Sequence, residues 1–422
     1  MSAELDLLRR LRVFEEPNGS YGVDDTANVA TDFVDVPFTD GSLKWKTDQE
    51  LFDPKIGSVL LEYQDKKVLG RAFPSLSFEM PLHSHGIALD GVNAIPTKAT
   101  WALLRILTAV FGASTAPTNG GARAVVAGST TSTINVTAGR GTDFSPGQAV
   151  GVRVTGAAAG TIETREVLSV TANTITVTEQ FSAAPVTGGT VYGAVSVYTI
   201  DDPLTSLQFV MEGLEADDKL AFFGMQGSPK FTIPTTGDIP KMSLDLKGCR
   251  WARLASGAVA PASFANLSLF GTVFNEVHWT TISGSTVARN VIDQSAQRYE
   301  PAIQYEAVRG SASANNNVIR MKRKQVRPPL KGGFTSLFQD STWETERASA
   351  TSKRLDMQLG NTPGTSGAGG AIMICQRQMQ ASDVQPATHE SGIGGLQVSA
   401  EGRIPDSGTS AFTRAVSAMH FF

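Results

Sequence analysis

Alternation with a period of two dominates the chain. Leu76, Phe78, Met80 and Leu82 alternate with Ser75, Ser77 and Glu79, and Met242, Leu244 and Leu246 alternate with Lys241, Ser243, Asp245 and Lys247. Successive side chains on a strand point to opposite faces, so this pattern predicts sheets with one packed and one wet side. Further strands are expected at Val59–Tyr63, Val68–Met80, Ser206–Glu212, Lys219–Met225, Lys230–Ile233 and Met242–Gly248. Helical spacing is rare. Residues 97–111, with Pro96 before and Gly112 after, form the strongest candidate, apolar on more than one face. Residues 2–12 (Leu5, Leu8 and Leu11 on one stripe, Ser2 as cap) and Gly333–Asp340 are shorter candidates.

Between Ala113 and Thr199 the texture changes. The segment is rich in Thr, Val, Ala and Gly and lacks Trp, Cys, His and Lys. Short alternating runs separated by turn residues predict a small barrel or sandwich of about five to seven strands. Both flanks read as parts of another unit, so this is an insertion. The rest divides into two stretches of roughly 165 residues with the same order of elements, a size usual for a domain. The expected class is mainly β, with residues 1–112 plus 200–255 as a first, discontinuous domain. Residues 113–199 form the insert and residues 256–422 a second domain.

Charged residues make up only 18% of the chain, below the usual ~25%, which suits a surface largely covered by neighbours. The net charge of −4 argues against a protein that coats nucleic acid. Cys249 and Cys375 cannot make a disulfide framework and read as small buried side chains. No run is apolar enough for a membrane helix, and the first residues lack the pattern of a signal peptide, so a soluble protein is expected.

Catalytic patterns are missing from the sequence: there is no phosphate loop, no nucleophile elbow and no HExxH. His83 and His85 share a strand face and could hold a metal, but no Cys or clustered carboxylate is near them in sequence. A solvated loop or interface is the plainer reading. The acidic doublets Asp24-Asp25, Asp201-Asp202 and Asp217-Asp218 point to opposite faces if extended and make no acid–base dyad. One basic run, Arg309 to Lys331, puts Arg320, Lys322 and Lys324 on one strand face. It suits either an edge that binds acidic groups or a strand protected from unwanted pairing. No catalytic residue, cofactor or metal is expected. The sequence favours a structural, self-associating protein.

Four segments carry a family resemblance. They are GRAFPSLSFEMPLHSHG, followed by the helix with TWALLRIL; EADDKLAFFGMQGSPKFTIPTTGDIPKMSLDLKG; QRYEPAIQYEAVRGSASANNNVIRMKRKQVRPP; and LGNTPGTSGAGGAIMICQRQMQ, with GLQVSAEGRI and a closing MHFF. In order and texture the chain resembles the major tail tube proteins of long-tailed bacteriophages. The resemblance implies tandem tail-tube-like β-sandwich or barrel domains, each with a flanking helix, and an Ig-like decoration module as the insert. It further implies rings stacked into a virion tail, assembled in the host cytoplasm and conducting DNA on ejection. A trimer ring with pseudo-sixfold symmetry would result if both halves are tube domains, and a hexamer otherwise. The implied partners are further copies, a tape-measure protein and genomic DNA in the lumen, and other tail proteins, with no membrane. Such proteins carry a loop that reaches the next ring. Phe38–Pro54, with Trp45 and Phe52 as anchors, is the candidate here, and a local hairpin with two core aromatics fits equally. The implied ring–ring contacts are Trp45, Phe52, Asp53, Arg320, Lys322 and Lys324, with Asp53 or Asp217 opposite the basic run. A baseplate hub, a terminator ring, and a capsid decoration or adhesin protein share these features.

Overall fold

In the computed structural model, strands built from alternating residues pair into large antiparallel sheets, and the fold is mainly β. The structure describes residues 10–16, 32–52, 68–199, 205–213, 219–234, 238–254, 268–269, 275–292, 294–301, 303–309, 318–323, 330–336, 342–364, 369–388, 394–403 and 415–422. The expected strand Val59–Tyr63 lies outside them.

Strands β1 (Arg10–Glu15), β2 (Val34–Asp35), β3 (Lys44–Phe52), β4 (Val68–Pro81) and β5 (His83–Ser84) precede helix α1 (Ala102–Phe111). Strand β6 (Gly112–Thr115) leads into β7 (Thr133–Asn135), β8 (Ala149–Val152), β9 (Glu163–Val170), β10 (Thr174–Val177) and β11 (Val191–Gly193). Strand β12 (Val195–Thr199) leads out to β13 (Leu207–Glu212), β14 (Lys219–Thr232), β15 (Lys241–Lys247) and β16 (Arg250–Arg253). Then come β17 (Ser268–Leu269), β18 (Asn275–Thr281), β19 (Val291–Ile292), β20 (Gln294–Glu300), β21 (Tyr305–Arg309), β22 (Val318–Arg323) and β23 (Lys331–Ser336). Helix α2 (Thr342–Ala348) precedes β24 (Ser352–Leu359), β25 (Ile372–Thr388), β26 (Gly394–Gly402) and β27 (Ser417–Phe421).

The two large sheets repeat one topology. The first runs β2-β1-β13-β14-β15-β4-β3 and the second β19-β18-β24-β25-β26-β23-β20. Leaving short excursions aside, each half places its second strand beside its first, then the fifth, sixth, seventh, fourth and third. The helix falls between the fourth and fifth strands in both. An eighth strand flanks the long sixth strand in each half: β16 beside β14 and β27 beside β25. The apolar alternation matches across the repeats: Met242, Leu244 and Leu246 of β15 answer to Leu396, Val398 and Ala400 of β26.

One apolar core spans both repeats, from Leu11 and Phe78 through all of α1 to Trp279, Phe334 and Phe421. The β7–β11 sheet has its own core around Ile134, Phe144, Val152, Val167 and Phe181. Its stem strands β6 and β12 lie elsewhere. Strand β12 pairs with β6 on one side and with β27 on the other, so the stem extends the second repeat's sheet.

Three helix expectations differ from the structure. Residues 10–12 of the first candidate open β1, whose Leu11 and Val13 enter the core opposite Met211 and Phe209; residues 2–9 lie outside the description. The second helix begins at Ala102 rather than Thr97. Thr97–Thr100 closes a separate turn, with the Thr100 amide donating to the Thr97 carbonyl, and Trp101 is extended. Gly112, at φ 115°, ends the helix as expected. Residues 333–336 of the third candidate belong to strand β23, paired on both sides, residues 337–340 lie outside the description, and α2 begins at Thr342. Phe334 with the downstream apolar residues imitates helical spacing. Gly332 and Gly333 instead let the backbone press against Gln376 and the Val398 carbonyl, where a Cβ would collide. Two expected strands, Lys219–Met225 and Lys230–Ile233, are one. Gly224 (φ +64°) bends β14 without ending it, and its partner changes from β13 to β15.

Candidate assembly surface

Of the residues expected at ring contacts, Phe52 in the first repeat and Arg320 and Lys322 in the second fall near the passage from third to fourth strand. Strand β15 accompanies β4 only from Ser75 to Pro81. From Phe73 to Val68, β4 pairs with β3 alone, and Phe52 faces Val68 across the ladder. Six residues of strand, Thr47–Phe52, thus run about 20 Å past that sheet's shared edge. In the second repeat the same position between third and fourth strands holds the β21–β22 hairpin, a separate two-stranded sheet. Within it Arg320 stands opposite Val308 and Lys322 opposite Glu306. Asp53, Lys324 and Asp217 lie outside the described residues, as do all three acidic doublets. Trp45 sits near the opposite end of β3, across from Leu76, and is partly buried against the core.

The other candidate chemistry resolves into packing. His83 is buried, not solvated. It accepts the Trp101 indole N–H at Nδ1 (3.3 Å), and burial lowers its pKa to about 4. His85 is half-buried against the same Trp101 ring. Cys249 and Cys375 are buried free thiols; burial pushes Cys249 up to about 12 and Cys375 well above the ordinary range. Neither is a nucleophile in that state.

What the sequence did not reveal are two buried ion clusters that fasten the insert to the second repeat. In the first, Glu166 of β9 accepts Arg354 Nη2 at 2.6 Å and Arg377 Nε at 3.0 Å. Burial opposes ionisation, yet the two guanidinium groups hold Glu166 down at about 2. Arg354 also binds Asp356, and Arg377 donates to the carbonyls of Gly147 and Ala415. In the second cluster, His278 Nδ1 lies 2.9 Å from Glu179 and its Nε2 lies 3.3 Å from Glu276, which also takes Arg289 at 2.8 Å. Burial and Arg165 act to lower the pKa of His278, but its hydrogen bonds to the two carboxylates outweigh them and leave it raised.

Glu166, Cys375 and His420 bring ligand atoms within 4.8 Å of one another. A cation does not suit them, because both Glu166 oxygens are already taken by guanidinium groups and the Cys375 thiol holds its proton. Among the described residues no helix is long and apolar enough to cross a membrane. No protein-family model matches the chain, and no curated protein sequence matches it.

Proposed function

We propose that the chain is the wall subunit of a tail tube of a long-tailed bacteriophage. Copies join into rings, and the rings stack into a conduit for DNA. The observation that carries this reading is the repeated sheet: two copies of one eight-strand topology share one core, and on our reading the ends of β3 and β4 in the first and the β21–β22 hairpin in the second serve as its projections. Six such repeats from three chains make a pseudo-sixfold ring. Stacked rings then meet through the projections, a heterologous contact that extends into a filament. The tape-measure protein and the genome occupy the lumen in turn, and no cofactor takes part.

Negative-stain microscopy of the purified protein tests this. Hollow tubes of uniform width are expected. Dispersed single particles at every concentration would refute the reading. Rings that never stack would favour a baseplate hub or a terminator instead.

The projections give a second test. Reversing the charge of the basic run with Arg320→Glu, Lys322→Glu and Lys324→Glu should cut mean filament length at least tenfold while leaving rings. Wild-type lengths would exclude the hairpin from stacking.

A further inference from the structure

The ladders of the two repeats can be matched residue by residue. Across strands three, four, seven and six of the first repeat the register runs Trp45, Leu76, Leu246, Gly227. In the second it runs Tyr299, Gly332, Ala400, Ala381. Trp45 therefore occupies the position of Tyr299. On the other half of the sixth strand, Phe222 stands opposite Phe209 and Trp251, just past a register shift. Gln376 stands opposite Leu355 and Ser417, just past the matching shift. The aromatic trio Trp45, Phe222 and Trp251 thus replaces the trio Tyr299, Gln376 and Ser417.

The two sites differ in what covers them. Tyr299 donates or accepts at the Ser417 hydroxyl (2.6 Å), and its ring packs 5.2 Å from Phe231, which belongs to the first repeat's β14. Next to it Ser228 of β14 donates to the Ile303 carbonyl. Under this cover Tyr299 is 1% exposed. Trp45 packs against Phe222 and Trp251, at 6.1 and 6.2 Å, yet Trp251 remains 42% exposed. Among the described residues Trp251 is the one aromatic that stands exposed, a bare indole on an outer strand.

The complementary half of the contact is also unused. Phe231 stands opposite Met242 in the ladder, and Pro386 of β25 stands opposite Leu396, the counterpart of Met242. Past Gln380, β25 pairs with β26 alone. Ser382, Gln385, Pro386 and Thr388 are exposed, whereas in the matching stretch of β14 Pro229 is buried and Phe231, the counterpart of Pro386, is half-buried. Pro386 has no N–H to offer a ladder, so it suits a packing contact, as Phe231 makes on Tyr299.

We infer that the contact between the repeats within one chain is used again between chains: the Ser382–Thr388 end of β25 in one copy packs on the Trp45/Trp251 face of the next. Pro386 takes the role of Phe231, and Trp45 that of Tyr299. The contact is head-to-tail, so it propagates from copy to copy and closes a ring where its rotation allows. It rests on the self-assembly reading for its occupant, a second copy, and on the internal repeat for its geometry. Trp45 on this account serves the lateral contact within a ring rather than the stack.

Two measurements test it. First, benzoylphenylalanine replaces Trp251, keeping an aromatic bulk there, and the assembled protein is irradiated. Cross-linking to a peptide containing residues 381–388, with a ladder of covalent multimers, is expected. The ladder should persist in the stacking-deficient Arg320→Glu, Lys322→Glu, Lys324→Glu chain. Second, Trp251→Glu should raise the concentration for half-assembly at least tenfold with an unchanged urea midpoint, and Trp251→Phe should restore assembly. Wild-type assembly by Trp251→Glu, or cross-links to another segment in intact tubes, would overturn the lateral contact and leave the tube reading standing. A wild-type chain that stays monomeric throughout would overturn both.

Discussion

Replacing Glu166 with Gln should lower the stability of the subunit by about 3–5 kcal/mol, the usual effect of leaving a buried ion without its counter-charge. Glu166 is fully buried and joins the insert to two arginines of the second repeat. Its loss takes the Glu166 counter-charge from Arg377, which keeps the Gly147 and Ala415 carbonyls, while Arg354 keeps Asp356. The double variant Glu166→Met, Arg377→Met removes one charge of each sign and should recover at least half of the loss. Urea denaturation followed by circular dichroism reads both. A change below about 1 kcal/mol in the single variant would show that the cluster does not fasten the insert. The same physics governs excision of the insert. A plain deletion takes Glu166 from Arg354 and Arg377 and Glu179 from His278, so a shortened subunit should be less stable than the whole chain.

Acid should destabilise the subunit well above the pH at which most carboxylates titrate. His83 and His420 are buried and neutral, with pKa values lowered to about 4 and about 3, chiefly by burial. In the unfolded chain both take up protons near 6.5. A base with a depressed folded pKa gives stability that is complete above 6.5 and fades as pH falls. Between pH 6.5 and 4 each contributes a loss of about 3 kcal/mol. His278 works in the opposite sense: its raised pKa gives stability that is full below 6.5 and fades as pH climbs through the folded value. One group of that kind does not offset two of the other on the acid side. Melting curves at pH 7, 5 and 4 should show a falling midpoint, with the slope between pH 6.5 and 4 reduced in His420→Gln. An equal midpoint at pH 7 and pH 4.5 would contradict the buried, neutral state of both rings.

Local pattern made β4, β13, β14 and β15 legible. Met242, Leu244 and Leu246 alternate in sequence and are all buried in the ladder. It failed where backbone contact, not side-chain period, decides. Gly332 and Gly333 look like helix-weakening residues beside Phe334, but they are where a strand approaches Gln376 and β26. The order of elements suggested a duplication, whereas the shared core and the equivalence of Trp45 with Tyr299 need the ladder itself. The ion clusters were invisible for a different reason. Glu166 and Arg354 are 188 residues apart, and no local spacing marks either as a partner of the other. For the stacking candidates, Arg320 and Lys322 stood out as a run of like charge, and their place opposite β21 became clear only from the hairpin register.

The stem of the insert also ties the halves of the polypeptide together in time. Ser196 of β12 bonds His420 of β27 across 224 residues, and β12 borders that strand along its length. Pairing over such a separation is slow, since loop closure precedes the gain. The second half's sheet takes β12 and β6 from the stem, and the first half's core continues into the second, so neither half buries its apolar surface alone. Polypeptides made as two pieces, divided between β16 and β18, should therefore stay insoluble apart and regain structure only when produced together.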